Sequence, residues 1–170
     1  MLCQIVQPKL IFEIGTLTGY TALHFALNTP KDTKILTLDL PRRENAEPAL
    51  EVTMMDEGHI RHSVNVTDYC FDGYAESSKI ECLFGDSATF DYSPFKDQVG
   101  LFFIDGAHSY EYAKSDTMAA LSCCTPGSVI AWHDYGRVGV NGVSRWLHEF
   151  RASGRPVFAV PGGSLAYMKV

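Results

Sequence analysis

Several features that mark large classes of protein are missing from this sequence. It has no lysine- or arginine-rich run, and 14 basic against 20 acidic residues leave a net charge of −6. This balance argues against a nucleic-acid surface. No apolar run approaches the length needed to cross a bilayer, and the N-terminus carries no charged-then-apolar leader segment. We therefore expect a small-molecule or protein partner, with a small-molecule acceptor favoured by the motifs below, and neither a nucleic acid nor a membrane.

The cysteines show a pattern that indicates free thiols. The five cysteines are an odd number, and none of them stands in a Cys-x-x-Cys spacing. Most lie in apolar surroundings, as the reduced thiols of a protein interior do. We therefore expect a reducing, cytoplasmic setting. The sequence leaves the oligomeric state open, and a homo-oligomer is compatible with it.

The size and composition of the chain indicate one domain. With 170 residues and 46% hydrophobic content, the chain can bury roughly two thirds of its unfolded surface in one core. A second domain would not fit, so we predict a single domain over residues 1–170. Residues 41–78 have a weaker pattern and are predicted to form a less regular insertion, either a surface excursion or a flap over a pocket.

Two features stand out within this insertion. Apolar residues at spacings of three predict one helix from Pro48 to about Gly58. His59 and His62 follow it three residues apart and can share a helical face. No third ligand is nearby in the sequence, so this pair alone does not indicate a metal site.

The strongest pattern in the chain is a strand, a glycine turn and a helix. Leu10–Ile14 is an apolar run typical of a strand buried on both faces, interrupted only by Glu13. Gly15 and Gly19 bracket a tight turn that leads into an amphipathic helix. The next strand ends in Asp39, about twenty residues past the turn, where a carboxylate can reach the two hydroxyls of a ribose. Together these elements form half of a nucleotide site.

The glycine spacing separates the families that use such an element. Leu17 stands where a dinucleotide-binding turn needs its second glycine, and Tyr20 replaces the third. A phosphate-binding Gly-Lys-Ser/Thr motif is also missing. What remains, Glu13-Ile-Gly-Thr-Leu-Thr-Gly19, resembles the first motif of class I S-adenosylmethionine-dependent methyltransferases.

This resemblance implies a cofactor site. It places the turn that contains Gly15, Thr16 and Gly19 close to the methionine part of S-adenosylmethionine, with the carboxylate of Glu13 near its ammonium group. Members of this family usually carry helices before the first strand that help to cover the ligand. Here the segment before that strand, Met1 to Lys9, is short.

A further carboxylate follows the third predicted strand, Lys79–Phe84. Asp86 lies just past the end of this strand, where side chains of an α/β sheet face the ligand crevice. In the methyltransferase family the corresponding acid often contacts the adenine amino group. The alternative is that Asp86 is the N-cap of a short helix.

The ends of the fourth and fifth predicted strands form a second polar constellation. Val99–Ile104 ends at Asp105, and Ser128–Trp132 ends at His133 and Asp134. Because adjacent parallel strands deliver their carboxyl ends to the same edge, these side chains should meet. Two acids and an imidazole suit a divalent cation, which would offset the repulsion between the carboxylates. The alternative is a metal-free cluster of hydrogen-bonded strand ends.

The segments Phe103–Tyr110 and Ile130–Gly136 narrow the resemblance. They are similar to small bacterial methyltransferases related to macrocin O-methyltransferase and, more distantly, to catechol O-methyltransferase. In those proteins, acids after the fourth and fifth strands hold magnesium beside the acceptor oxygen. Here His133 stands where many relatives have a second acid, and imidazole is a poorer magnesium ligand than carboxylate. The expected metal is therefore Mg²⁺ or another divalent cation.

His108 is the residue that we expect to accept a proton. It lies three residues past Asp105, in the turn that leads into the next helix, and imidazole titrates near neutral pH. Asp105 is the other residue that we expect to take part in catalysis. In the competing interpretation, His108 caps or packs against the helix, or joins the metal shell.

The C-terminal part of the sequence completes the predicted fold. Strands at 156–160 and 164–170 are joined by Pro161-Gly162-Gly163, a link so short that they must form an antiparallel hairpin. We predict an α/β, Rossmann-like, doubly wound and mostly parallel sheet of seven strands with helices on both faces. The predicted function is S-adenosylmethionine-dependent methyl transfer to a hydroxyl of a small molecule. The alternative is a non-catalytic metabolite-binding module on the same scaffold.

Overall fold

The structure is a computed structural model that describes residues 2–42 and 46–170. The predicted insertion at 41–78 is therefore described except for residues 43–45. Within the described residues, five α-helices and seven strands follow one another. They are α1 (Leu2–Val6), β1 (Leu10–Ile14), α2 (Tyr20–Leu27), β2 (Lys34–Asp39), α3 (Met54–Ser63), β3 (Ile80–Phe84), β4 (Val99–Ile104), α4 (Tyr110–Cys123), β5 (Cys124–Trp132), α5 (Asn141–Ala152), β6 (Phe158–Ala159) and β7 (Ala166–Lys169).

The seven strands form one sheet in the order β3-β2-β1-β4-β5-β7-β6. Strands β1 to β5 are parallel, whereas β7 runs antiparallel to both β5 and β6. The predicted mostly parallel sheet with a C-terminal antiparallel hairpin is therefore confirmed. Because the chain reverses its strand order beside β1, the carboxyl ends of β1 and β4 flank a crevice where ligands bind in such sheets.

Helices cover both faces of the sheet, as predicted. Successive strand residues point to opposite faces, so Phe12 packs with the side chains of α4 and α5, and Ile11 packs with those of α1 and α2. Both residues are fully buried. Among the described residues, no helix is long and apolar enough to cross a membrane.

The helix predicted from Pro48 to about Gly58 is shifted along the chain, since α3 begins at Met54 and ends at Ser63. A capping box sets its start. The Thr53 hydroxyl accepts a hydrogen bond from the Asp56 amide, and the Asp56 carboxylate accepts one from the Thr53 amide. These bonds satisfy two amides that a helix start leaves unpaired.

Some predicted strand ends were also wrong. β5 begins at Cys124, before the predicted Ser128, and the pairing of β4 with β5 shifts register between Val99 and Leu101. Pro126 and Gly127 lie within this shift, between the paired positions Cys124 and Val129 of β5. Strands β6 and β7 are shorter than predicted, because only 158–159 and 166–169 form ladder pairs.

Candidate active site

A cavity of about 300 Å³ opens at the carboxyl ends of the parallel strands. Its walls come from the turn between β1 and α2, the ends of β2 to β5, and one face of α3. A pocket of this volume is typical of small-molecule sites. Its polar lining includes Thr16, Asp39, Asp56, His59, Asp86, Asp105, His108, Tyr112, His133, Asp134 and Arg137.

The turn after β1 comes so close to β4 that only glycine fits at its first position. Gly15 has φ +98°, and a Cβ atom there would overlap the backbone carbonyl of Asp105. Gly19, with φ +78°, precedes α2, and a Cβ atom there would press on the ring of Phe71. These glycines therefore allow close packing of the protein itself, in addition to any room they leave for a ligand.

Glu13 lies beneath the cavity and is not part of its lining. Its side chain is fully buried, and one carboxyl oxygen accepts a 2.6 Å hydrogen bond from the hydroxyl of Thr37. Thr37 in turn is bonded to Thr16, at 2.7 Å. The second oxygen of Glu13 has no hydrogen-bond partner in the described part of the chain. Burial raises the pKa of Glu13 to about 8, so this carboxyl group is mostly neutral at pH 7.

Asp39 lines the cavity and fixes the shape of the glycine turn. Its two oxygens accept 2.8 Å hydrogen bonds from the amides of Leu17 and Leu40. The carbonyl of Leu17 accepts a 2.7 Å hydrogen bond from Arg42. Leu17 has φ +43°, so these contacts hold a backbone conformation that a branched residue rarely adopts. Burial raises the pKa of Asp39.

Asp86 also lines the cavity and connects three segments. Its carboxylate accepts hydrogen bonds from the amide of Ala49, the amide of Ala88 and the hydroxyl of Tyr112. The bond to Ala88 closes a local turn, while Ala49 and Tyr112 come from the insertion and from α4. Thus Asp86 caps a turn and faces the cavity at the same time. The sequence interpretation missed Tyr112, whose pKa is raised by burial and by its bond to Asp86.

The predicted acidic cluster does come together at the ends of β4 and β5. Nδ1 of His133 lies 3.1 Å from Oδ1 of Asp105 and 2.9 Å from Oδ2 of Asp134. Asp134 has φ +58° and is almost fully buried. Its other oxygen accepts a 2.8 Å hydrogen bond from Arg137, which the sequence interpretation missed.

His108 is held between two carboxylates. Its Nδ1 lies 2.5 Å from Asp56 and its Nε2 lies 2.7 Å from Asp134. Burial disfavours charge on this imidazole, but the hydrogen bonds to Asp134 and Asp56 outweigh it and raise the pKa of His108 to about 9. Both ring nitrogens are engaged and the ring is charged near pH 7. This geometry weighs against the predicted role of His108 as a proton acceptor.

Asp56 is the main residue of the site that the sequence interpretation missed. It lies in the first turn of α3, and its hydrogen bonds join this helix to the backbone amide and ring of His108. Burial raises the pKa of Asp56, but the bonds from His108 and Thr53 outweigh that effect and lower it. The Thr-x-x-Asp spacing resembles a capping box and was a readable signal for the helix start.

The cluster fits a divalent cation. Nδ1 of His133 is buried and makes no hydrogen bond of normal geometry within the described residues, although two carboxylate oxygens lie beside it. The carboxylates of Asp105 and Asp134 beside this ring raise the pKa of His133 to about 10, as expected where acids surround an imidazole. Ligand atoms of Asp105, His108 and Asp134 also lie within 4.8 Å of one another. A mixed oxygen and nitrogen donor set suits transition metals such as Mn²⁺ better than Mg²⁺.

Comparison with known proteins identifies relatives of this domain. A family described as "Methyltransferase domain" matches residues 12–135. Caffeoyl-CoA O-methyltransferase 1 of Arabidopsis thaliana is 38% identical over 65 residues, which are 38% of this chain and 24% of the relative. Caffeoyl-CoA O-methyltransferase 2 of Populus trichocarpa is 46% identical over 52 residues, 31% of this chain and 21% of the relative. The matches therefore span about a quarter of these relatives.

Solved structures share the fold over nearly the whole chain. The O-methyltransferase TomG from Streptomyces achromogenes, solved with SAM and involved in tomaymycin synthesis, has a TM-score of 0.61 at 22% identity. An O-methyltransferase from Bacillus cereus, solved with SAH, has a TM-score of 0.66 at 19% identity. Each alignment covers 99% of this chain, with 76% and 77% of the respective structures. At these identities the likeness concerns the fold.

Proposed function

Because the chain belongs to the methyltransferase domain family, we propose that it transfers a methyl group from S-adenosylmethionine to a hydroxyl oxygen of a small molecule. One observation carries this proposal. A single cavity joins the glycine turn and its neighbouring acids to the cluster of Asp105, His133 and Asp134. A methyl donor and a hydroxyl acceptor must meet in one space, and this cavity offers a different set of side chains to each.

We assign the cofactor to the side of the cavity formed by the turn and the ends of β1 to β3, hereafter the cofactor side. Gly15, Thr16 and Gly19 would shape the backbone around the methionine part, Asp39 would bind the ribose hydroxyls, and Asp86 would lie near the adenine. Each oxygen of Asp39 already accepts one amide hydrogen bond and keeps further lone-pair capacity for a hydroxyl. Glu13 would act through Thr37 and Thr16, since it lies outside the lining.

We assign the acceptor to the side formed by α3 and the ends of β4 and β5, hereafter the acceptor side. Asp105, His133 and Asp134 would hold a divalent cation, which when bound acidifies a coordinated hydroxyl and orients its oxygen. His108 would position Asp134, because its ring joins that carboxylate to Asp56. The free state of all five cysteines supports a reducing, cytoplasmic setting for this single domain.

An acceptor screen tests the activity. The protein would be incubated with Mn²⁺, isotopically labelled S-adenosylmethionine and a panel of hydroxyl compounds: catechol, caffeoyl-CoA and a methyl glycoside. Catechol and caffeoyl-CoA present adjacent phenolic hydroxyls, and caffeoyl-CoA is the first choice because the two plant relatives are caffeoyl-CoA O-methyltransferases. We expect mass-spectrometric label on at least one panel member. Label on none of them would contradict the enzymatic proposal and favour a non-catalytic binding module.

Calorimetry tests the cofactor assignment independently of turnover. S-adenosylhomocysteine should bind to the wild type, and Asp39→Asn should bind it at least about tenfold more weakly, because a charge-assisted hydrogen bond to ribose is lost. Asp32→Asn is the matched control, since Asp32 is exposed just before the opposite end of β2 and its ion pair within the described residues is with Lys9. Tighter binding of a nicotinamide dinucleotide than of S-adenosylhomocysteine would contradict the assignment.

The metal assignment has its own test. After exhaustive chelation, the wild type should bind Mn²⁺ in a calorimetric titration and lose turnover until Mn²⁺ is restored. Asp105→Asn should weaken Mn²⁺ binding, whereas Asp68→Asn, at an exposed position in the insertion, should not. Unchanged turnover in the chelated protein, together with no measurable Mn²⁺ binding, would exclude the metal from the mechanism.

A further inference from the structure

The histidines of the chain differ in whether carboxylates contact their rings. All six lie in the described residues, and three of them line the cavity: His59, His108 and His133. His108 lies between Asp56 and Asp134, and His133 lies against two carboxylates. The ring nitrogens that face these carboxylates are already occupied and are not open to an acceptor hydroxyl. Only His59 lines the cavity without such a pairing.

His59 is presented to the cavity by a well-anchored helix. It lies one turn after Asp56 on α3, and its ring centroid is 5.9 Å from that of His108. One of its ring nitrogens lies within 4.8 Å of ligand atoms of both Asp56 and His108. The ring is exposed and has no hydrogen-bond partner in the part of the chain that the structure describes. The hydrogen bond that Asp56 accepts from the Thr53 amide and its contact with the ring of His108 fix the position of the helix turn that carries His59.

We propose that His59 is the catalytic residue that accepts the proton of the acceptor hydroxyl. The inference rests on the proposed function and names a residue of the same site. As the oxygen attacks the sulfonium methyl donor, its O–H bond breaks and the proton passes to a ring nitrogen of His59. The oxygen forms the new O–C bond, and the S–C bond breaks with its electron pair left on sulfur. The products are the methyl ether, the thioether and a protonated His59.

A pair of variants on the same helix tests the proposal. His59→Gln should lower kcat about 10²- to 10⁴-fold for the panel member that the wild type methylates fastest, because general base catalysis contributes a factor of this size. His62→Gln is the matched control. His62 lies three residues further along α3, is exposed and does not line the cavity, so its turnover should equal that of the wild type.

Chemical rescue separates a base from a residue that only binds the acceptor. The His59→Ala variant removes the ring from an exposed position, so free imidazole can enter the space and should restore part of the turnover. Both His59 variants should unfold at the wild-type temperature, and calorimetry should show unchanged affinity for S-adenosylhomocysteine. These two measurements exclude misfolding and weaker cofactor binding as causes of the lower turnover.

Three outcomes would overturn the inference. They are a His59→Gln variant with near wild-type kcat, a rise in KM alone, or a loss of turnover in His59→Ala that imidazole does not restore. Each leaves the proposed function intact, because the wild type still methylates. Absence of label on the panel with the wild type would instead contradict the proposed function, and with it the role of His59.

Discussion

On the cofactor side of the cavity, Asp39 and Asp86 accept hydrogen bonds from backbone amides and from a tyrosine hydroxyl. On the acceptor side, by contrast, Asp134 contacts two imidazoles and a guanidinium. The first arrangement is built from neutral donors whose positions follow from the course of the main chain. The second is built from charged side chains whose protonation decides whether they attract one another.

This difference assigns different tasks to the two sides. On the cofactor side, amides and a hydroxyl hold the carboxylates of Asp39 and Asp86, so these donors keep their protons across the neutral pH range. On the acceptor side the pKa values of His108 and His133 are raised by neighbouring carboxylates, and under the proposed function a bound cation would supply part of this positive charge instead. The contacts on the cofactor side therefore depend mainly on the course of the backbone, whereas those on the acceptor side depend on the charges of the side chains.

Removal of Asp134 should be the most damaging change to the acceptor side. Asp134→Asn retains a side chain that tolerates φ near +58°, but it leaves the buried imidazolium of His108 without one of its two partners. We expect a loss of about 3–5 kcal/mol in the free energy of unfolding in urea, the usual cost of breaking a buried pair, together with loss of methyl transfer. The control Asp68→Asn removes an exposed carboxylate and should change stability little. Equal free energies of unfolding for the two variants would show that the contacts of Asp134 do not stabilise the fold.

The next effect concerns His108. His108→Gln leaves Asp56 and Asp134 without their shared cation, so we expect a loss of about 3 kcal/mol in the free energy of unfolding near neutral pH and a lower melting temperature. Affinity for S-adenosylhomocysteine should persist, because the cofactor side is untouched. A variant of full stability whose turnover falls about 10²- to 10⁴-fold would restore the sequence-based prediction that His108 is the base.

Gly15 connects the two sides, because its backbone lies against the carbonyl of Asp105. Gly15→Ala should be destabilised by the left-handed φ, at about 1–2 kcal/mol, and by about 1–3 kcal/mol more from overlap with β4. Gly162→Ala is the matched control, since it has φ +76° and open space around its Cβ position. The loss of unfolding free energy in Gly15→Ala minus the loss in Gly162→Ala measures the overlap with the Asp105 backbone alone. No difference would mean that β4 moves away without cost.

The last expected effect is a pH dependence on the cofactor side, which is small per pH unit. The pKa of Glu13 is raised from 4.5 to about 8 in the folded protein, so between these values only the unfolded chain releases the proton. Stability should therefore fall as pH rises through this window, by up to about 1.4 kcal/mol per pH unit, and level off above it. Glu13→Gln should flatten this slope in urea titrations at several pH values. Glu57→Gln, at an exposed position on α3, should keep it, and an unchanged slope in Glu13→Gln would contradict the assignment.

The two sides also differ in how far the sequence alone predicted them. The glycine turn, Asp39 and Asp86 belong to strand ends and turns that local patterns indicate, and the structure places all three around one cavity. Asp105, His133 and Asp134 were predicted to meet because parallel strands align their carboxyl ends, and they do. By contrast, the role of Asp56 was missed, although the predicted helix from Pro48 to about Gly58 contains this residue.

The physical reason lies in the range of the interactions. Apolar runs, glycine spacing and a short hairpin link determine strands, turns and their order, since these depend on neighbours in the sequence. The partners of His108 are 52 residues before it and 26 residues after it, and neither spacing has a local signature. Only the tertiary structure brought Asp56 to His108, buried Glu13 beneath the cavity and left His59 facing it. Protonation followed from that placement, because desolvation and charge pairing depend on what surrounds a side chain in space.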